Sequence, residues 1–292
     1  CASIGPTSPA PHPKPSDRGL ASQDLALPDD PSSGDILEGI SGLARAADGA
    51  LWLSPERQRV LVRIGPAGSP AELYPLEGVP EGLDTESIAW LPDGRLAIGT
   101  ERVALRNENP ILLARLVGKA VVVGEETIPF SYAPWNLQAA PNRGIEGLTQ
   151  AGGWLVAISE MDPNDDGARR APLSAYHLAE ARWEHTLVSL SSATGRMSAL
   201  DCAETDGEAL HCLAIERHYG VSRVLSFHLH FPLGPMTSAV CIQNLTPDIG
   251  GSTNMEGILR QAPGRVLDDV EAVAVENGHA AQHLDRGGAR RV

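Results

Sequence analysis

The stretch Asn142-Arg143-Gly144-Ile145-Glu146-Gly147-Leu148-Thr149, followed by Gly152-Gly153 and then Trp154-Leu155-Val156-Ala157-Ile158-Ser159-Glu160, decides the fold. Two short apolar runs flank a glycine turn, and both are short for a helix, so they read as the paired strands of a hairpin. The arrangement recurs on either side. Gly39-Ile40-Ser41-Gly42-Leu43-Ala44 precedes Asp48-Gly49 and Leu51-Trp52-Leu53-Ser54. Thr85-Glu86-Ser87-Ile88-Ala89 precedes Asp93-Gly94 and Leu96-Ala97-Ile98-Gly99. Leu200-Asp201-Cys202-Ala203 precedes Asp206-Gly207 and Leu210-His211-Cys212-Leu213-Ala214-Ile215, and Met255-Glu256-Gly257-Ile258 opens a fifth copy. The second runs end in Glu56, Glu101, Glu160 and Glu216.

Further strand-like runs follow each hairpin, such as Val60-Leu61-Val62-Arg63-Ile64 and Ile111-Leu112-Leu113-Ala114-Arg115-Leu116. Between Val224 and Phe231 the pattern alternates, with Leu225, Phe227, Leu229 and Phe231 on one face and Ser226, His228 and His230 on the other. Several strands per repeat, with repeats about 40 to 60 residues apart, predict an all-β fold, a β-propeller of five or six blades. After Ile258 the pattern departs: Leu259-Arg260-Gln261-Ala262-Pro263-Gly264 leads into an acidic and then Arg-rich tail. The expected organisation is a Pro/Ser-rich leader over 1–34, a propeller over 35–258, and a divergent tail or partial last blade over 259–292.

The 292 residues carry 23 Lys+Arg against 37 Asp+Glu, a formal charge of −14, and 42 % are hydrophobic. That composition supports a globular core. The acidic balance argues against nucleic acid, whose phosphates demand clustered Lys and Arg. No run approaches the roughly 20 apolar residues that cross a bilayer. Thirty Gly and 23 Pro suit a chain that turns often. Cys202 and Cys212 flank the Asp206-Gly207 turn signal, so they are either bridged across an antiparallel pair or two buried thiols. Cys241 is left as a small core residue.

The start Cys1-Ala2-Ser3 resembles a mature bacterial lipoprotein, which implies acyl chains on Cys1 and attachment to the cell envelope, at its periplasmic face or the cell surface. The stretch Ser3–Gly34, with Pro6, Pro9, Pro11, Pro13, Pro15, Pro28 and Pro31, has the composition of an extended tether. Gly-Ile-Ser-Gly-Leu (39–43), Asn-Arg-Gly-Ile-Glu-Gly-Leu (142–148), Ile-Glu-Arg-His-Tyr-Gly (215–220) and Asn-Met-Glu-Gly-Ile (254–258) together resemble the phytase-like, or "esterase-like activity of phytase", propeller family. The resemblance covers about residues 36–258. It implies a secreted or envelope-associated propeller, sometimes credited with phosphoesterase-type activity.

In a hairpin, the residue entering the first strand and the residue leaving the second lie at one end. The spacing is steady: 15 from Ser41 to Glu56, 15 from Glu86 to Glu101, 14 from Glu146 to Glu160 and 15 from Asp201 to Glu216. Innermost strands line a propeller's channel, so Glu86, Glu101, Glu146, Glu160, Asp201, Glu216 and Glu256 are expected as an acidic ring at one mouth. Such a ring needs a proton, a salt bridge or a metal, and a carboxylate set suits Ca²⁺. Arginines beside the glutamates leave two other readings open. They could knit blades together as ion pairs, or Arg102, Arg143 and Arg217 could hold a phosphate. Glu146 and Glu256 are the candidate catalytic carboxylates, and His218 is the candidate general acid or base.

Ser41 lacks the second glycine of a nucleophile elbow. His228 and His230 share a strand face and could chelate, although a solvent-facing strand explains them more simply. The run Asp162–Gly167 has calcium-loop composition without the full loop pattern. The expected function is a Ca²⁺-dependent hydrolase of a small anionic or ester substrate, monomeric and held at a membrane through Cys1. The alternatives are a non-catalytic binding propeller on the envelope, or a lactonase similar to the gluconolactonase propellers.

Overall fold

A computed structural model of the chain describes residues 21–23, 39–56, 58–66, 69–101, 108–137, 143–160, 169–205, 209–218, 220–246, 255–260, 272–276 and 280–284. For 21–23, 255, 256, 260, 272–276 and 280–284 only the backbone is described. Cys1, Arg102 and the 162–167 run lie outside the described residues.

Strand β1 is Ala21–Gln23. The first unit is β2 (Ile40–Arg45), β3 (Leu51–Pro55), β4 (Val60–Ile64) and β5 (Ala71–Glu77). The second is β6 (Asp84–Trp90), β7 (Leu96–Glu101), β8 (Glu108–Val117) and β9 (Ala120–Ser131), followed by a 3₁₀ turn at Ala133–Trp135. The third is β10 (Ile145–Ala151), β11 (Trp154–Ser159), β12 (Arg170–His177) and β13 (Arg182–Ser189). The fourth is β14 (Arg196–Glu204), β15 (Ala209–His218), β16 (Val221–His230) and, past the short β17 (Met236–Thr237), β18 (Val240–Asn244). Finally β19 (Met255–Arg260), β20 (Ala272–Glu276) and β21 (Ala280–Leu284) form a sheet whose fourth strand is β1, paired antiparallel to β21.

Each unit is an antiparallel meander, and the first strands neighbour one another in a closed cycle: β2 with β6, β6 with β10, β10 with β14, β14 with β19, and β19 with β2. This is a β-propeller, with five such units among the described residues. The first two units also join at their outer edges, where β5 and β9 pair in parallel at Leu76–Val121 and Glu77–Val122. The tail after Ile258 therefore contributes β20 and β21, and the leader contributes β1.

The strands read as continuous apolar runs because each sheet is covered on both faces. Leu155, Val156, Ala157 and Ile158 of β11 are all fully buried. Val156 and Ile158 join a cluster with Leu200 and Phe227 of the fourth unit, whereas Leu155 and Ala157 join one with Ala97 and Phe130 of the second. Similar clusters fill the other joints, including Trp52, Tyr74, Ile98 and Leu112 between the first two units. Trp52 stacks edge-on to Trp90 with centroids 5.4 Å apart, an arrangement favourable beyond its burial. Two of the three Asp-Gly turns form as the sequence suggests, and Asp206-Gly207 lies outside the described residues. Gly49 and Gly94 take φ of 84° and 79°, and Asp48 and Asp93 accept the amides of Ala50 and Arg95 at 3.0 Å. Cys202 and Cys212 face each other across β14 and β15 and are disulfide-bonded, while Cys241 is a half-buried free thiol.

One irregularity repeats in every unit. The ladder between first and second strand shifts register between Ile40 and Gly42, Thr85 and Ser87, Ile145 and Gly147, Met197 and Ala199, and Met255 and Gly257. These are β-bulges, which bend a strand and re-aim one side chain. The residue after the bulge must also be small, because first strands of adjacent units nearly touch there. A Cβ on Gly147 would lie 2.6 Å from the Leu200 Cβ and 2.7 Å from its amide nitrogen. Gly147→Val is therefore expected to destabilise by about 2 kcal/mol or more through overpacking against backbone. By thermal denaturation that is a fall in Tm of about 4–8 °C. Gly234→Ala, where nothing lies within 4 Å, should leave Tm nearly unchanged.

Candidate functional site

The bulges place Ser41, Glu86, Glu146, Ser198 and Glu256 at equivalent positions, all at the amino ends of first strands. At the same end, β3 leads into Glu56 and β7 ends in Glu101, which pairs directly with Asp84. One carboxylate oxygen from each of Glu56, Asp84, Glu86 and Glu101 lies within 4.8 Å of all the others. Asp84, Glu86 and Glu101 are buried and Glu56 is half-buried. A backbone contact from the Thr85 amide to the Glu56 carbonyl (3.3 Å) ties the two contributing units. Around it, Ser41 donates to the Thr85 carbonyl (3.0 Å), and the Thr85 hydroxyl donates to the Pro55 carbonyl (3.0 Å). Ser41 is thus held as a structural hydroxyl.

The third unit closes over this group. Gly144 approaches so tightly that a Cβ there would sit 2.3 Å from the Glu101 Cβ. Ser87 donates to the Ile145 carbonyl at 2.5 Å, and the Gly144 amide points at Glu146 Oε1 at 3.4 Å. Tyr132, fully buried after β9, adds a phenol. Burial pushes its pKa up; the nearby Ser159 hydroxyl opposes this, and the charges of Glu146 and Glu101 add to it. That phenol stays protonated in the physiological range and offers a proton to its acidic surroundings.

Four carboxylates so close repel strongly: about 4 kcal/mol for one pair 4 Å apart at an effective dielectric near 20. Oxygens bound about 2.4 Å from one Ca²⁺ stand at most about 4.8 Å apart, which is the spread found here. The donors are all hard oxygens, with no His or Cys among them, as suits Ca²⁺ better than zinc. Arg57 and Arg102, the nearest arginines in sequence, lie outside the described residues.

The other expected ring members are dispersed. Glu160 pairs with Arg196 at 3.2 Å on the joint between the third and fourth units. His218 is there too. Its pKa is lowered by burial, then by the charges of Arg196, Arg217 and Arg169, against the raising effect of Glu160. Glu216 is fully buried and caps the loop before β14. It accepts from the Ser191 and Ser192 amides at 2.9 Å each and from both hydroxyls at 2.5 Å. Arg143 is half-buried in a bridge before β10. Glu256 occupies its bulge, but its side chain lies outside the described residues.

Asp201 stands at the opposite end of the first strands, three residues past the bulge at Ser198. There it accepts from Thr149 (3.5 Å) and faces Arg45 across a cavity of about 700 Å³, open solvent included. The displacement has a simple cause. The β14–β15 hairpin is longer, so Arg217 matches Glu56, Glu101 and Glu160, and a constant spacing of 15 picks Asp201 instead of Ser198. Glu56 and Asp84 lie outside the expected ring, although Asp84, two residues before Glu86, belongs to the same strand end.

Two outcomes follow from these placements. Glu216→Ala strands two amides and two hydroxyls, so a loss of about 3 kcal/mol is expected, read as a Tm fall of about 6–12 °C. For His218, the imidazole should titrate below the usual value of about 6.5 by NMR. Arg196→Gln should move that midpoint upward, since it removes a cation and frees Glu160.

The family described as Phytase-like, esterase-like activity of phytase, matches residues 77–284. No curated protein sequence matches the chain. Similar solved structures include a catalytically inactive virginiamycin B lyase from Staphylococcus aureus with quinupristin, 14 % identical, covering 89 % of this chain and 68 % of that one at a TM-score of 0.42. Another is a calcium-binding protein, regucalcin, from Agrobacterium tumefaciens: 15 % identity, 88 % and 71 % coverage, TM-score 0.45. A luciferin-regenerating enzyme is 11 % identical over 93 % of this chain and 98 % of that one, at 0.47. With well over half of its length matched by the family, the chain belongs to the phytase-like propellers.

Proposed function

We propose that Glu56, Asp84, Glu86 and Glu101 hold a divalent cation, Ca²⁺ by its chemistry, and that the site hydrolyses a small phosphate ester or related ester. The observation that carries this is the convergence of four carboxylate oxygens from two adjacent units within 4.8 Å. Bound there, the ion would polarise a phosphoryl or carbonyl oxygen and acidify a water. Glu146, entering from the third unit with one oxygen toward the Gly144 amide, is the group to accept that water's proton. Tyr132 supplies a buried proton donor beside Glu146 and Glu101. Arg169, Arg196 and Arg217, gathered around His218, offer positive charge at the same end of the channel for an anionic substrate. The family's description supports an ester as substrate class.

A second reading has its own support. Three of the four carboxylates are buried, so the ion could staple the first two units of a non-catalytic binding propeller. Chelation and substrate screening separate the two. Saturating Ca²⁺ at about 100 Kd is expected to add about 2.7 kcal/mol, a Tm rise of roughly 5–10 °C that chelator reverses. Glu86→Gln with Glu101→Gln should abolish this response and, by relieving repulsion, make the ion-free variant more stable than ion-free wild type. Hydrolysis of p-nitrophenyl esters or phosphoesters lost on chelation and in the variant supports the enzyme. Hydrolysis indifferent to chelator overturns it, and a calcium-stabilised protein inert on every ester supports the staple.

A further inference from the structure

The channel has a second mouth that the acidic centre leaves unused. Its cavity of about 700 Å³, open solvent included, is lined from all five first strands. Between the two mouths those strands close up. A Cβ on Gly147 would lie 2.6 Å from the Leu200 Cβ, and one on Gly42 would lie 3.1 Å from the Ile88 amide nitrogen. The far cavity is therefore a chamber of its own, separated from the carboxylates by that waist. Its wall carries one charge of each sign, on strands that are not neighbours in the cycle: Arg45 closes β2, and Asp201 belongs to β14. Burial works against the Arg45 charge and the Asp201 charge supports it, so the two sense each other across the opening. Arg45 donates to the Gly49 carbonyl of its own turn at 3.3 Å. Asp201 accepts from Thr149 at 3.5 Å, and the Thr149 oxygen takes the Cys202 amide at 3.3 Å. These contacts anchor both charged groups at the wall.

We propose that this far-mouth cavity binds a small zwitterion, an amino acid with its carboxylate toward Arg45 and its ammonium toward Asp201. Charge order selects this class. A lone anion drawn to Arg45 is repelled by Asp201, and a lone cation meets the reverse. A zwitterion oriented as stated is attracted at both ends, and the four charges then alternate in sign. That attraction acts through space, so neither protein group has to give up a contact it already makes. The guanidinium fork suits a carboxylate, which fixes the orientation further. Gln150, half-buried at the same mouth, carries an amide that can donate to one end of the ligand or accept from the other. Leu148, Leu200 and the half-buried Trp90 ring supply apolar wall for the carbon chain, the mixture of few polar groups on an apolar lining that small-molecule sites share.

The test is a calorimetric titration of the full chain with L-alanine and, separately, with 4-aminobutyrate, which hold the two charges at short and long separation. Acetate and methylammonium serve as half-ligands. Saturable binding of about one molecule of at least one amino acid is expected, at least about 10-fold tighter than either half-ligand. Asp201→Asn should weaken amino-acid binding at least about 10-fold and strengthen acetate binding, because Arg45 then stands unopposed. Arg45→Met should weaken amino-acid binding similarly and strengthen methylammonium binding. Both half-ligand changes are gains, which a misfolded variant does not show. Glu86→Gln with Glu101→Gln should leave amino-acid binding intact, which separates this site from the proposed calcium centre. Absence of saturable binding of both amino acids, a half-ligand bound as tightly, unchanged affinity in either charge variant, or loss of binding in the double glutamate variant would each overturn the assignment.

Discussion

The close approach of first strands around the axis is the constraint on which the rest of this structure depends. At the level of the bulge, Cβ positions on Gly42 and Gly147 would meet the backbone of the next unit at 3.1 Å and 2.7 Å. Strands this near cannot all keep regular pairing with their own second strands, and the repeated bulge is how each unit accommodates it. The bulge turns a single side chain out of the ladder at the mouth of the channel. In three of the five copies the bulged residue is a glutamate, and in two it is a serine. Of the four converging carboxylates Glu86 alone comes from a bulge; Asp84, Glu101 and Glu56 stand beside it at the same strand ends.

Buried carboxylates in this protein are stabilised in different ways, and the differences sort structural from functional groups. Glu216 is enclosed by two amides and two hydroxyls, a coordination that leaves it little to offer a ligand. Glu160 is neutralised by Arg196. Glu56, Asp84, Glu86 and Glu101 bring one oxygen each within 4.8 Å of one another. Burial raises the energy of like charges held close together, so that convergence is a stronger sign of a ligand than acidity alone.

Much of the fold was legible because its elements carry local signals: Asp48-Gly49 and Asp93-Gly94 at turns, fully apolar strands such as 155–158, and the Glu-Gly pair marking the bulge and the close contact that follows. The site was legible only in part. Glu86, Glu101 and Glu146 are near one another because their hairpins have nearly equal length. Where the β14–β15 hairpin lengthens, equal spacing loses its meaning, and Asp201 falls at the far mouth while Glu216 faces a loop. The partnership of Asp84 with Glu101 across β6 and β7 is a matter of register, which the sequence does not display.

The pairing of β1 with β21 joins the earliest strand described to the latest. A ribosome delivers Ala21–Gln23 long before Ala280–Leu284, so the last sheet cannot gain its outer strand until synthesis is nearly finished. Contacts of such long sequence separation form slowly, and until then the nascent chain exposes the apolar flanks of β19 and β2 that the finished circle conceals. Premature termination anywhere before β21 would leave that seam open, with an unsatisfied edge available to other chains.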